Sequence, residues 1–197
     1  SDLEADALDS AAAPIVLLRR RRDATGTAER TVASGVAPGS PLLGVMLPYS
    51  PLHHLLFAAV PGEAAAGGMA PRALVLTSAN VSDEPLCFTE TEEALARLWR
   101  LADAVLTHDR PIEVPVDDSV VRVVDGAVQP VRRARGYAPM PVALPVAVAP
   151  VLAVGGELKN TFCVAAGRTA WVGPHVGDME NLATLHAFER GVANTTR

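Results

Sequence analysis

The chain has 197 residues, 49% of them hydrophobic and only 4% aromatic, enough for one medium domain or one and a half with a core of Ala, Val and Leu. A formal net charge of -5 argues against broad nucleic-acid binding by charge alone. The two cysteines, Cys87 and Cys163, lie far apart without metal-ligand spacing, which argues against a disulfide framework and fits a reducing cytoplasm.

The opening "SDLEADALDSAAAP" is acidic and has no basic region ahead of an apolar run, so it is not a signal-peptide pattern. The absence of an initial Met suggests a fragment. Leu3 to Ala13 reads as a short helix. "PIVLLRRRR" (Pro14 to Arg22) reads as a buried strand, and its four arginines fit a solvated strand end better than a phosphate site. Residues 23–43 are rich in Thr, Ser, Gly and Pro and read as loop. "LLGVMLPY" is a second apolar run. "SPLHHLLFAAV" has helical periodicity, with Ser50 as N-cap and Pro51 at the first helical position. "RALVLTS" reads as a strand. "TETEEALARLWRLA" (Thr89 to Ala102) is the clearest helix pattern, with Thr89 and Glu92 placed for a capping box. "DAVLTHD" reads as a short strand, and "DSVVRVVDGAVQPVRR" as two strands about an Asp125-Gly126 turn.

"APMPVALPVAVAP" (Ala138 to Pro150) reads as a semi-rigid extended linker. The apolar run it belongs to is broken by four prolines and does not reach the roughly 18 residues of a membrane helix. Beyond it, "VLAVGGELKNTFCVAAGRTAWVG" reads as successive strands joined by tight turns, and "MENLATLHAFERGV" as a closing helix. Strands alternating with helices before the linker indicate an α/β fold.

Four features carry possible chemistry. In "LVLTSANVSDEPL" (Leu74 to Leu86) a strand gives out into short polar residues. Ser78 and Asn80 can both hydrogen-bond a ligand, and free backbone N–H groups there can approach a phosphate or sugar closely. An ordinary polar turn explains the same residues. In "VPVDDSVVR", Asp117 and Asp118 suit either a metal or the orientation of a nearby arginine, and Ser119 opens the next strand. "VRRARGY" supplies three arginines within four residues, with fork geometry suited to phosphate. Finally, Lys159 is the one lysine beside sixteen arginines. His53 and His54 point about 100° apart on a helix and form no two-histidine metal face. His108 and His175 are single, and neither cysteine has a paired histidine.

Taken together, "LGVMLPYSPLHHLLF", "LVLTSANVSDEP", "THDRPIEVPVDDSVVR" and "VRRARGYAP" resemble the YrdC-like domain of HypF carbamoyltransferases. "VLAVGGELKNTFCV" and "HVGDMENLATLHAFE" resemble the start of the transferase domain that follows it. The resemblance covers nearly the whole chain, in matching order. It implies an α/β fold: a YrdC-like twisted mixed sheet with flanking helices, its N-terminal part missing, followed by the beginning of an actin-like ATPase-superfamily transferase domain. The implied boundaries are residues 1–137 for the YrdC-like part, 138–150 for the linker and 151–197 for the transferase part.

The resemblance further implies an enzyme that makes carbamoyl-adenylate from carbamoyl phosphate and ATP. It then passes the carbamoyl group to the C-terminal cysteine of a HypE-like acceptor protein in nickel–iron hydrogenase maturation. Ser78, Asn80 and Ser119 are the implied nucleotide-pocket residues, completed by Arg132 or Arg133. Lys159 and Asn160 face a phosphate, and His175 and Asp178 belong more weakly to the transfer site. Mg²⁺ would accompany ATP, with zinc or iron expected only in parts outside this chain. No membrane and no strong nucleic-acid binding are implied. Two departures matter. YrdC-type pockets also use a basic motif that would precede Ser1, and the transferase domain's metal-binding histidines should lie beyond Arg197. The chain alone is therefore expected to lack full activity. The alternatives are an O-carbamoyltransferase of secondary metabolism, whose two halves come in the opposite order, and a non-catalytic nucleotide-binding or docking module.

Overall fold

A computed structural model describes residues 1–20, 32–33, 35–58, 73–80, 86–87, 96, 98–99, 101–106, 109–180 and 182–196. The chain divides into two compact units, Ser1–Thr77 with Val120–Gln129, and Ser78–Ser119 with Pro130–Arg197.

The first unit is built on a mixed sheet. Helix α1 (Asp2–Leu8) leads into strand β1 (Ile15–Arg19), followed by β2 (Leu42–Val45) and helix α2 (Pro51–Phe57). Strands β3 (Val120–Val124) and β4 (Ala127–Arg132) complete the order β2-β1-β3-β4. β1 runs antiparallel to β2, pairing Leu17 with Gly44, and parallel to β3, pairing Val16 with Val121. Val16 and Val121 are fully buried and form the centre of a small aliphatic core with Ala7 and Ala13. Gly44 is needed here: a Cβ would meet Ile15 at 2.8 Å. The β3–β4 turn is the expected Asp125-Gly126 pair. Both residues have positive φ, 49° and 74°, which suits a two-residue hairpin. The start of α2 is also as expected, with Ser50 Oγ accepting the His53 N–H at 3.2 Å and Pro51 opening the helix.

The second unit centres on a long hairpin. Strand β5 (Pro141–Val154) pairs antiparallel with β6 (Phe162–Val172), and helix α3 (Leu182–Thr195) follows. Phe162 is 1% exposed and meets Phe188 of α3 edge to face, with ring centroids 5.7 Å apart. Two glycines make room for that ring. A Cβ on Gly173 would lie 2.4 Å from Phe162, and one on Gly191 would lie 2.9 Å from it.

Three readings of local structure change. Residues 141–150, read as a spacer, are extended but belong to β5. Their prolines still leave a mark, because the β5–β6 register shifts between Ala143 and Val148 and again between Val148 and Val151, around Pro145 and Pro150. Proline has no N–H to give a ladder. The strand read at "RALVLTS" is not formed over residues 73–78, where Val75 and Leu76 are exposed. Nor is the strand read at "DAVLTHD" formed over residues 103–106, where Leu106 is exposed. In both places the β-favouring composition lacks a hydrogen-bonded neighbour among the described residues, and propensity without pairing does not make a strand. The helix read over 89–102 falls largely outside the described residues, though Ala96, Leu98 and Trp99 are helical.

Candidate functional site

The acidic pair and the arginine cluster meet in the second unit. Arg135 donates Nε to Asp118 Oδ1 at 2.9 Å, with Nη2 equally close. Arg132 lies 3.8 Å from Asp117. Ser119, 0% exposed, sits at the join. Its hydroxyl accepts the Ala134 N–H at 2.7 Å and donates to the Arg135 carbonyl at 2.9 Å. Both acids therefore organise arginines, and the serine hydroxyl is committed to backbone.

The tip of the β5–β6 hairpin is tied to the segment after β6. Asn160 N–H donates to Gly177 O at 2.7 Å, and Val176 N–H donates to Asn160 O at 2.9 Å. The Asn160 side chain is buried and donates to Gly156 O at 2.7 Å. Lys159 Nζ pairs with Asp178 at 2.8 Å. Gly155 must be small, since a Cβ would stand 2.8 Å from Thr161 O.

These elements surround a cavity of about 240 Å³ lined by Ser78, Asn80, Arg132, Lys159, His175 and Asp178 together with the polar face of α3. Ser78 and Asn80 are joined by a 2.6 Å hydrogen bond between Oγ and Oδ1. Of the two candidate arginines, Arg132 is on the wall. Arg133 instead donates to Met140 O at 2.8 Å and lies over the Tyr137 ring at 6.0 Å. Ser119 and Asn160, expected at the ligand, are not on the wall either: they fix the backbone behind it. Sequence reasoning missed Thr184, Ala187, Gly191 and Asn194 of α3, with Arg190 beside them. Their signal was the spacing of small and polar residues along one face of the closing helix.

The wall carries three carboxylates (Glu113, Asp117, Asp178), three cations (Arg132, Lys159, Arg190) and His175. Arg132 already faces Asp117, so an anionic ligand must compete for it, whereas the exposed Lys159 ammonium has donors to spare beyond the one on Asp178. Burial and the neighbouring Arg132 hold the His175 imidazole below its usual value, which outweighs the pull of Asp117 and Asp178. His175 is thus neutral near pH 7 and able to accept a proton. The hydrogen bonds from Lys159 hold the Asp178 carboxyl below its usual value. Among the described residues no group of three or more His, Cys, Asp or Glu stands close enough to cage a metal ion. Among them, too, no helix is long and apolar enough to cross a membrane.

Residues 1–134 match the Sua5/YciO/YrdC family, described as telomere recombination, and residues 147–197 match the HypF Kae1-like domain. The chain is 41% identical over 198 residues to carbamoyltransferase HypF of Synechocystis, covering all of this chain and 24% of that protein. It is 48% identical over 202 residues to carbamoyltransferase HypF2 of Cupriavidus necator, covering 98% of this chain and again 24% of the relative. A crystal structure of full-length HypF in a phosphate- and nucleotide-bound form superposes with a TM-score of 0.81 at 40% identity, covering 98% of this chain and 28% of that one. HypF of T. kodakarensis superposes with a TM-score of 0.82 at 32% identity, over 98% of this chain and 23% of that one. The chain thus spans about a quarter of the length of the relatives it matches. With residues 1–134 matched to its family model, this chain belongs to the Sua5/YciO/YrdC family, and it continues into a HypF Kae1-like segment in the order found in HypF proteins.

Proposed function

We propose that the cavity is a nucleotide site and that the chain contributes it to a carbamoyltransferase that forms carbamoyl-adenylate from carbamoyl phosphate and ATP. The supporting observation is that Ser78, Asn80 and Arg132 line one cavity with Lys159, His175 and Asp178. A full-length relative whose structure was solved with phosphate and nucleotide aligns over 98% of this chain. In this reading residues 1–137 are the YrdC-like part, 138–150 the connection and 151–197 the start of the transferase part.

Water first cleaves carbamoyl phosphate to carbamate and inorganic phosphate; a carbamate oxygen then attacks the α-phosphorus of ATP, and pyrophosphate leaves. The protein's share is positioning and charge neutralisation. Ser78 and Asn80 hydrogen-bond the nucleotide, Arg132 moves from Asp117 to the phosphates, and Lys159 meets a phosphate from the hairpin tip. Ser119 and Asn160 act from behind, through the backbone they hold. Magnesium fits as an ion carried in on the nucleotide, since it needs only one or two protein carboxylates besides phosphate oxygens. Glu113 is the wall carboxylate that faces no cation among the described residues. When bound, Mg²⁺ would neutralise phosphate charge. In the second step a cysteine thiol of a HypE-like protein in the cytoplasm attacks the carbamoyl carbon of the adenylate, AMP leaves, and neutral His175 is the group available to take the thiol proton.

The experiment is isotope exchange: the chain is incubated with ATP, carbamoyl phosphate and labelled pyrophosphate, beside calorimetric titration with ATP. We expect ATP binding with little exchange, because the chain spans a quarter of its relatives. Absence of ATP binding by the folded protein would refute the nucleotide site.

A further inference from the structure

Lys159 is the only lysine among seventeen basic residues, and its backbone is held unusually. Its φ is 53°, in the left-handed region that residues other than glycine occupy at a cost. One carboxylate compensates at two points. Asp178 Oδ1 accepts the Lys159 backbone N–H at 2.6 Å, and Oδ2 accepts Nζ at 2.8 Å. The surrounding chain is tied as well, by the paired backbones of Asn160 and Gly177 and by a 2.9 Å bond from Met179 N–H to Glu157 O.

A carboxylate that only closed the turn would need the N–H contact alone. Here the second oxygen also captures the side chain, although that side chain is 71% exposed and nothing buries it in place. A free lysine side chain has many rotamers, and holding it in one costs entropy. The Asp178 contact removes much of that freedom before a ligand arrives. An ammonium has three donors, so Nζ can keep one on Asp178 and present the others to an oxyanion.

We propose that Asp178 is the positioning residue for Lys159: it holds the hairpin tip in its left-handed turn and fixes the ammonium on the cavity wall, where a phosphate group of the ligand meets it. The ligand part rests on the nucleotide-site reading above.

The single lysine makes the test clean. In protein labelled with [¹⁵N]lysine, the backbone amide spectrum contains one lysine cross-peak, that of Lys159. It should shift as pH falls through the depressed Asp178 titration, because its N–H is bonded to that carboxylate. Asp178→Asn keeps an oxygen for the N–H but loses the charge. The peak should move and lose this pH dependence, while pyrophosphate affinity drops roughly tenfold, the equivalent of one charge-assisted hydrogen bond. Asp178→Ala should weaken pyrophosphate binding further and speed exchange of the Lys159 amide. Should Asp178→Ala not fold, Lys159→Met gives the reciprocal reading, with the Asp178 carboxyl returning toward its ordinary range. An unchanged peak and pH profile in Asp178→Asn would overturn the clamp. A wild-type peak that follows Asp178 yet ignores pyrophosphate would overturn the phosphate role and point to failure of the site reading instead.

Discussion

Replacing Phe162 by alanine should do more damage than any other single truncation among the described residues of the second unit. The ring is 1% exposed, so essentially its whole apolar surface returns to water on unfolding. A buried aromatic contributes about 150–250 Å². At about 25 cal/mol per Å², and less the part that alanine retains, the loss comes to about 4 kcal/mol, within the range of about 3–5 for Phe-to-Ala changes in cores. The cavity cannot close easily. Its walls are Gly173 and Gly191, which have no side chains to swing inward, and the edge of Phe188. Since small domains hold only about 5–15 kcal/mol in all, the variant should sit near the folding threshold. Urea unfolding would measure it, with far-UV circular dichroism following α3 and fluorescence following Trp171 on β6. Phe162→Leu, closer in volume, should recover most of the loss. A Phe162→Ala midpoint shift worth less than about 1 kcal/mol would mean that the ring does not join α3 to the hairpin, and would refute the packing described.

Ser119→Ala removes a fully buried hydroxyl that serves Ala134 N–H and the Arg135 carbonyl, and should cost about 1–3 kcal/mol in thermal or urea unfolding. If instead Ser119 touches ligand, stability will hold and nucleotide affinity alone will fall. Arg132→Gln should weaken ATP binding about tenfold by calorimetry, whereas Arg133→Gln, whose guanidinium serves Met140 O and Tyr137, should not. The His175 pKa is lowered in the fold from 6.5, so the unfolded chain takes up that proton first as pH falls. Stability from this group is complete above about pH 6.5 and declines below it, until pH passes the lower folded value. His175→Gln should flatten that decline in urea midpoints taken between about pH 5 and 8. An unchanged slope would show that the imidazole titrates as if exposed.

Local signals were legible wherever the controlling interaction is near in sequence. Asp125-Gly126 announces its own turn because positive φ at two successive positions admits few residues. Ser50-Pro51 announces α2 because a hydroxyl three residues upstream caps an N–H and proline prefers the first turn. The prolines between 139 and 150 misled for the same local reason. They do discourage a ladder, yet β6 supplies a partner across the positions between them. The apolar runs at 73–77 and 104–106 misled in the opposite sense, being rich in strand formers without a pairing partner among the described residues.

The candidate site divides in the same way. Residue chemistry made Ser78, Asn80, the arginines and the one lysine candidates, since hydroxyl, amide and fixed cation are what phosphate recognition requires, and the family resemblance narrowed the arginines to Arg132 or Arg133. What sequence could not reveal was direction. Arg132 and Arg133 are neighbours in the chain, but one lines the cavity and the other turns to Met140 and Tyr137. Ser119 has the right chemistry, and a backbone segment fifteen residues away consumes it. The order of segments and the types of group available were thus written along the chain, since they depend on covalent neighbours and composition. Which groups face a common space, and which are spent holding others in place, depended on contacts between distant segments that exist only once the chain has packed.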